Sequence, residues 1–140
     1  MKIKIKKLHA DAKIPNYAHK GDAGMDIYSN EDCIILPHHR QIISTGISIE
    51  LPKGYVALIW DKSGVAKNGI KTMGGVGDAG YRGEYKAILL NVSSVPYEIK
   101  KGDKIAQILI QKIEQPEIEE VKDLSETSRG EGGFGSTGIK

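Results

Sequence analysis

The sequence predicts an all-β domain, a sandwich or a barrel, from three observations. Apolar residues alternate with polar ones far more than they recur at helical spacing. The apolar runs are short, rich in β-branched and aliphatic residues, and bounded by Pro or Gly. Turn signals separate them, at Leu51-Pro52-Lys53-Gly54, at Val95-Pro96 and at Lys101-Gly102-Asp103.

In chain order, Ile3 and Ile5 interleave with lysines, and Ile43, Thr45, Ile47 and Ile49 interleave with Ser44, Gly46 and Ser48. Tyr55 to Trp60, Ala87 to Val92 and Ile105 to Ile113 complete the predicted strands. Only Ser63 to Asn68 reads as helical, a turn or two opened by a capping serine. Residues 114–124 are polar and extended, with Pro116 and five acidic groups. The expected organisation is one barrel domain over 1–124 and a flexible Gly-rich C-terminal arm over 125–140, too poor in apolar groups to fold alone.

Composition limits the function. With 39% hydrophobic and 27% charged residues, 140 residues can bury one core. No apolar run reaches the roughly 18–20 residues of a membrane span, and the Lys-rich N-terminus has no signal-peptide apolar stretch, so a cytoplasmic protein without membrane contact is expected. One cysteine, Cys33, excludes an internal disulfide and reads as a small core residue. A net charge of +2, without a basic-aromatic stripe, gives no reason to expect nucleic-acid binding. Glycine is the anomaly: 17 residues, seven of them between Gly64 and Gly83 and five between Gly130 and Gly138. Clusters of this kind mark tight backbone geometry or close approach to a ligand.

Five stretches could carry chemistry. In Arg129-Gly130-Glu131-Gly132-Gly133-Phe134-Gly135-Ser136-Thr137, the glycines free backbone N–H groups to wrap an anion, and Arg129 offers a planar fork for phosphate. Ser136 and Thr137 add donors, and Phe134 supplies a ring that could stack on a base. Asp61-Lys62-Ser63-Gly64 follows a predicted strand and is a weaker phosphate candidate. Gly74 to Glu84 reads as a hairpin or long turn that holds, ahead of Glu84, the carboxylate Asp78 and the tyrosine Tyr81. Asp78 suits a local turn as well as it suits a ligand site. Asp26, in Ala23-Gly24-Met25-Asp26-Ile27, is a turn aspartate before a strand or a support for Mg²⁺ through water. Gln107 is polar inside an apolar run and requires a partner. The adjacent His38 and His39 have no further Cys or His at ligand spacing.

Taken in chain order, the five stretches resemble the five motifs of the homotrimeric dUTPase family, over about Ile14 to Thr137. The resemblance implies a distorted jelly-roll β-barrel and Mg²⁺-dependent hydrolysis of dUTP to dUMP and pyrophosphate. That reaction keeps uracil out of DNA and supplies dUMP for dTMP synthesis. By position, Asp26 is similar to the aspartate behind the Mg²⁺ through water, and Lys62, Ser63, Gly64 and Gln107 to the phosphate contacts. Asp78 matches the residue that deprotonates the attacking water, and Tyr81 the ring beneath the deoxyribose. The hairpin from Thr72 to Lys86, including Gly75, Val76 and Gly77, resembles the one whose backbone pairs with uracil. Arg129 and Phe134, Gly135, Ser136 and Thr137 resemble the closing arm. The implied partners are dUTP and two further copies of the chain, with active sites between subunits.

There are two departures from the family pattern. Lys62, after Asp61, stands where arginine after proline is usual, which keeps the charge and loses the bidentate fork. Gly77 stands where a bulky aliphatic residue is usual, an expected loss of roughly 1.5–3 kcal/mol of apolar burial. A dCTP deaminase of similar fold, and a dUTPase-like protein that binds nucleotide without turnover, are the alternatives. Asp78 argues against the second, and an assay for ammonia against pyrophosphate separates the first.

Overall fold

The computed structural model describes residues 1–133. Among them the elements are β1 (Lys4–Lys7), β2 (Met25–Tyr28), β3 (Cys33–Ile35), β4 (Arg40–Glu50), β5 (Tyr55–Trp60), α1 (Ser63–Ala66), β6 (Ile70–Thr72), β7 (Val76–Gly77), β8 (Glu84–Asn91), β9 (Tyr97–Ile99) and β10 (Lys104–Lys112). One four-stranded sheet has the order β1-β4-β8-β6, a second β2-β10-β5-β7, and β3 pairs with β9. Every pairing is antiparallel.

The core lies between the two larger sheets and is filled by the alternating residues read from the sequence. Ile43, Thr45, Ile47 and Ile49 of β4 are buried together with Ala87 and Leu89 of β8 and Ile105 and Ile108 of β10. Each large aliphatic among them contributes about 1.5–3 kcal/mol by leaving water. Asn91, at the end of β8, is also fully buried and is satisfied: its Nδ2 donates to the carbonyls of Ile35 (3.0 Å) and Val95 (2.7 Å), and its Oδ1 accepts from Ser93 N. It thereby ties the small β3-β9 sheet to the barrel. Cys33 is half-buried at the margin of the core.

Two features position the site. The β4-β8 register slips between Ser44, opposite Lys86, and Ser48, opposite Glu84, leaving two extra residues on β4. The Glu84 carboxylate fills that bulge, accepting from Ser44 Oγ and from Gly46 N (2.9 Å). The second feature is the connection from β6 to β8. These strands pair directly, Thr72 opposite Leu89, so residues 73–83 loop out between them. On the way, β7 crosses to the other sheet and pairs with β5, Gly77 opposite Ala57 and Val76 opposite Leu58.

The helix differs from its expectation. Lys62 is the N-cap, extended at φ −95° and ψ 123°, and no side chain caps the turn. Ser63 is already helical and the element ends at Ala66. The reason lies upstream. The Asp61 carboxylate is fixed by Thr72 N (2.6 Å) and Lys71 Nζ (2.5 Å), so the chain leaves β5 locked against β6 and turns one residue earlier than a serine cap requires.

Candidate functional site

The residue 73–83 loop and the start of β8 enclose a cleft of about 490 Å³. Of the residues singled out in the sequence, Gly75, Val76, Gly77, Asp78, Tyr81 and Lys86 line it. The loop is held by its own main chain: Tyr81 N donates to Asp78 O (3.0 Å), and Arg82 Nη1 donates to the carbonyls of Ala79 (2.7 Å) and Tyr81 (2.9 Å). Asp78 thus closes the turn through its backbone. Its exposed carboxylate accepts no hydrogen bond among the described residues. The carboxylate takes no part in holding the turn and lines the cleft.

Tyr81 is half-exposed, and its hydroxyl donates to Glu84 O (3.0 Å). Its ring passes so close to Gly83 that a Cβ there would collide with it. Edge-to-face beneath it stands Tyr85, with ring centroids 5.5 Å apart at 65°. Tyr85 was not anticipated as a site residue. Its only signal in the sequence was a second tyrosine four residues after Tyr81, which in a strand says little about contact.

Tyr85 also overturns the expected loss of burial at Gly77. A Cβ on Gly77 would lie 2.5 Å from Tyr85 Cε1 and 2.6 Å from its hydroxyl oxygen. The space next to Gly77 is occupied by a ring from β8. Packing is relocated there and not lost.

A second cluster sits where β2, β10 and β5 run side by side, Gln107 lying opposite both Asp26 and Trp60. Asp26 is inside β2, not ahead of it, and is 4% exposed. Lys62 Nζ reaches its Oδ1 and Lys104 Nζ its Oδ2, each at 2.7 Å. Burial alone would raise the Asp26 pKa, but the hydrogen bonds and charges of Lys104 and Lys62 outweigh it and hold the carboxyl below the usual range. Gln107 finds its required partner by donating from Nε2 to Asp61 O (2.8 Å). Ser63 and Gly64 follow Lys62 in α1, which places all five residues at one end of this sheet. Thr72, buried on β6, belongs to neither cluster's surface. It lines a smaller recess beside the cleft, with Trp60, Asp61 and Gly75.

Asp26, Lys62, Ser63, Gly64 and Gln107 do not line the cleft that holds Asp78 and Tyr81. Arg129 is apart from both. It lies in a turn of its own, its Nε donating to Gly132 O (2.8 Å). Phe134, Gly135, Ser136 and Thr137 lie outside the described residues. Among the described residues no three His, Cys, Asp or Glu side chains gather as metal ligands. The donor set, one buried carboxylate already facing two ammonium groups, fits an ion carried on a substrate's phosphates and met through water. It does not fit a resident metal.

The chain is thus a small all-β domain with a glycine-lined cleft and a separate lysine-aspartate cluster, and comparison with known proteins makes the assignment. The family model described as dUTPase matches residues 10–138, and the chain belongs to that family. It is 54% identical over 139 residues to the deoxyuridine 5′-triphosphate nucleotidohydrolase of Clostridium tetani, covering 97% of this chain and 96% of that one. Its identity to the Clostridioides difficile protein of the same name is 50% over 140 residues, with 98% of each covered. Among solved structures it is similar to a mutant dUTPase of Staphylococcus bacteriophage 80alpha with dUpNHpp. That match has a TM-score of 0.93 at 30% identity and covers 99% of both chains. A mutant dUTPase of S. aureus phage phi11, which coordinates a structural Mg(II) ion, matches with a TM-score of 0.82 at 28% identity, over 88% of this chain and 98% of that one. The expected jelly-roll-like all-β fold is borne out.

Proposed function

We propose that this chain hydrolyses dUTP to dUMP and pyrophosphate, in the cytoplasm, with Mg²⁺ carried on the triphosphate. The observation that carries the proposal is the cleft, where an unencumbered carboxylate and a half-exposed ring flank the Gly74-Gly75-Val76-Gly77 stretch, side-chain-free at three of four positions. Backbone N–H and C=O groups at Gly75 and Val76 would pair with the uracil edge, which glycine leaves unobstructed. Tyr81 would pack against the deoxyribose, where a 2′-hydroxyl finds neither room nor partner.

Asp78 would take a proton from a water as that water attacks the α-phosphorus. The bond to the pyrophosphate oxygen breaks, and the leaving group departs as its electron pair is neutralised. Lys62, Ser63 and Gln107 would bind and orient the phosphates, with Asp26 behind Lys62 and facing the ion through water. When bound, Mg²⁺ supplies charge neutralisation on the phosphates. Residues 125–140 would close over the nucleotide as an arm, Arg129 with Ser136 and Thr137 on the phosphates, Gly135 letting the chain bend close, and Phe134 stacked on uracil.

The assembly we infer is a homotrimer, because the base-carrying cleft and the phosphate cluster occupy separate surfaces of one chain. The rim of the cleft is apolar where a second chain could meet it: Ile42 on β4 and Met73 are exposed, and half-buried Ile88 on β8 lies opposite Ile42. Incubation with dUTP, dCTP or dTTP and Mg²⁺, assaying pyrophosphate and ammonia, tests the activity. Pyrophosphate from dUTP alone supports it, and ammonia from dCTP points to the deaminase. Mixing inactive Asp78→Asn chains with inactive chains lacking residues 125–140 tests the shared site, and partial recovery of activity is expected.

A further inference from the structure

We propose that Tyr85 is a positioning residue for substrate selection: its ring stands in the place of a side chain at residue 77 and sets the plane of Tyr81. Gly77 and Tyr85 then act as one exchanged pair. The inference deepens the proposed function, since it rests on Tyr81 being the face presented to the sugar.

Geometry limits the arrangement to a single packing. Tyr85 is 4% exposed and sits on β8 opposite the β4 bulge, between Glu84 and Lys86, which pair with Ser48 and Ser44. Its carbonyl accepts from Thr45 Oγ1 on β4, and its neighbour Glu84 is tied to the β4 bulge. Its ring edge abuts the main chain of Gly77, one residue before Asp78. Its other contact is the ring of Tyr81, and the Tyr81 hydroxyl is anchored on Glu84. Both supports of Tyr81 therefore come from two consecutive residues at the start of β8. A ring anchored at its hydroxyl and packed against a second, buried ring cannot tilt to admit a bulkier sugar unless Tyr85 moves, and Tyr85 is held by the barrel.

The Tyr85 hydroxyl is buried and has no hydrogen-bond partner among the described residues. Burial, with smaller contributions from Tyr81 and Asp78, pushes its pKa upward, so the phenol stays neutral at working pH. An orphaned hydroxyl of this kind adds little to stability. The ring is therefore the working part, and Tyr85→Phe should be silent.

The test compares kcat/KM for dUTP and UTP in five variants, each first shown by thermal melting to be folded. Tyr85→Phe should keep the parental dUTP-to-UTP ratio. Tyr85→Leu keeps an apolar core residue and removes the ring face, and should narrow the ratio by roughly 10–100-fold, mainly through a lower KM for UTP. Gly77→Ile forces Tyr85 aside and should narrow it likewise, whereas Gly77→Ile with Tyr85→Ala should recover most of the parental ratio. Tyr81→Ala is the reference. If it narrows the ratio and Tyr85→Leu does not, the positioning role is overturned while the reading of Tyr81 stands. An unchanged ratio in Tyr81→Ala overturns the reading of Tyr81 and this inference with it. A loss of selectivity in Tyr85→Phe would overturn the ring as the working part. Should the double variant fail to fold, Tyr85→Phe and Tyr85→Leu still decide the matter.

Discussion

The cleft at residues 73–83 and the cluster around Asp26 are built in opposite ways. In the cleft a glycine-rich backbone, two tyrosine rings and three isoleucines set the shape; Lys86 and Glu84 pair with each other, and the Asp78 carboxylate stands without hydrogen bonds among the described residues. In the cluster the charges are paired, with two ammonium groups on one buried carboxylate, and Gln107 Nε2 donates to a main-chain carbonyl. A base is a neutral, flat object read by edge and face, so shape and free backbone suit it. A triphosphate is read by charge, and lysines must be held in place before it arrives. The difference implies that the two regions fail differently, one in rate and the other in stability and binding.

Asp78→Asn should show the larger failure. The amide keeps the shape but cannot accept a proton from water, and loss of a general base costs about 10²–10⁴-fold in kcat. Because Asp78 is exposed and its turn is closed by main chain, the melting temperature should be unchanged. Turnover above a tenth of the parent, measured by pyrophosphate release, would remove Asp78 from the role of base.

Asp26→Asn should behave in the reverse manner. Two lysines lose their shared counter-charge at a buried position, which should cost about 1–3 kcal/mol of stability. Lys62 and Lys104 can turn partly to solvent, which keeps the loss at that level. The KM for dUTP should rise more than kcat falls. A full-length variant with parental melting temperature and KM would show that the cluster is not preorganised by Asp26.

Acid should lower stability through the paired carboxylates. Asp26 is held below the usual carboxylate range, and so are Asp61, by Lys71 and Thr72, and Glu84, by Ser44 and Gly46, in each case against the opposing effect of burial. A carboxylate with a depressed folded pKa contributes its full stability above the unfolded value, about 3.9 for Asp and 4.3 for Glu. That contribution is lost as pH falls through the folded value. Stability should therefore be flat from neutral pH to about 5 and drop below about 4. In Asp26→Asn the acid limb should be shallower, which chemical denaturation at several pH values would show.

The two regions also differed in how far they could be read from sequence. The long strands β4, β5, β8 and β10 were legible because alternation and flanking turns survive in a single chain. Strands β3, β6, β7 and β9 span two or three residues each and exist only because a neighbour pairs with them. Asp78 and Tyr81 were legible as chemistry in a glycine-rich setting. Asp26 was not legible as a lysine counter-ion, since Lys62 and Lys104 are 36 and 78 positions away and meet it only through strand pairing. Tyr85 was missed, and Gly77 misread as a packing defect, because the compensating ring comes from a different sheet.

The smallest expected effect falls on Lys62→Arg. Lysine meets Asp26 as a single point, one Nζ against Oδ1, with its side chain about a third exposed. A guanidinium could place one N–H on Asp26 and another on a phosphate oxygen at the same time, which an ammonium does less well. The gain is limited because Lys104 already faces Oδ2, so the carboxylate has little left to offer a second fork. A part-exposed ion pair is worth at most about 1 kcal/mol. The KM for dUTP should therefore fall by no more than about fivefold, with kcat and melting temperature unchanged. Lys62→Met, by contrast, should raise KM by at least tenfold, as expected for a lost charge-assisted contact of about 1.5–3 kcal/mol. If Arg and Met at residue 62 gave the same KM as lysine, the side chain would serve only to neutralise Asp26. The phosphate-binding role would then pass to the main chain of Ser63 and Gly64.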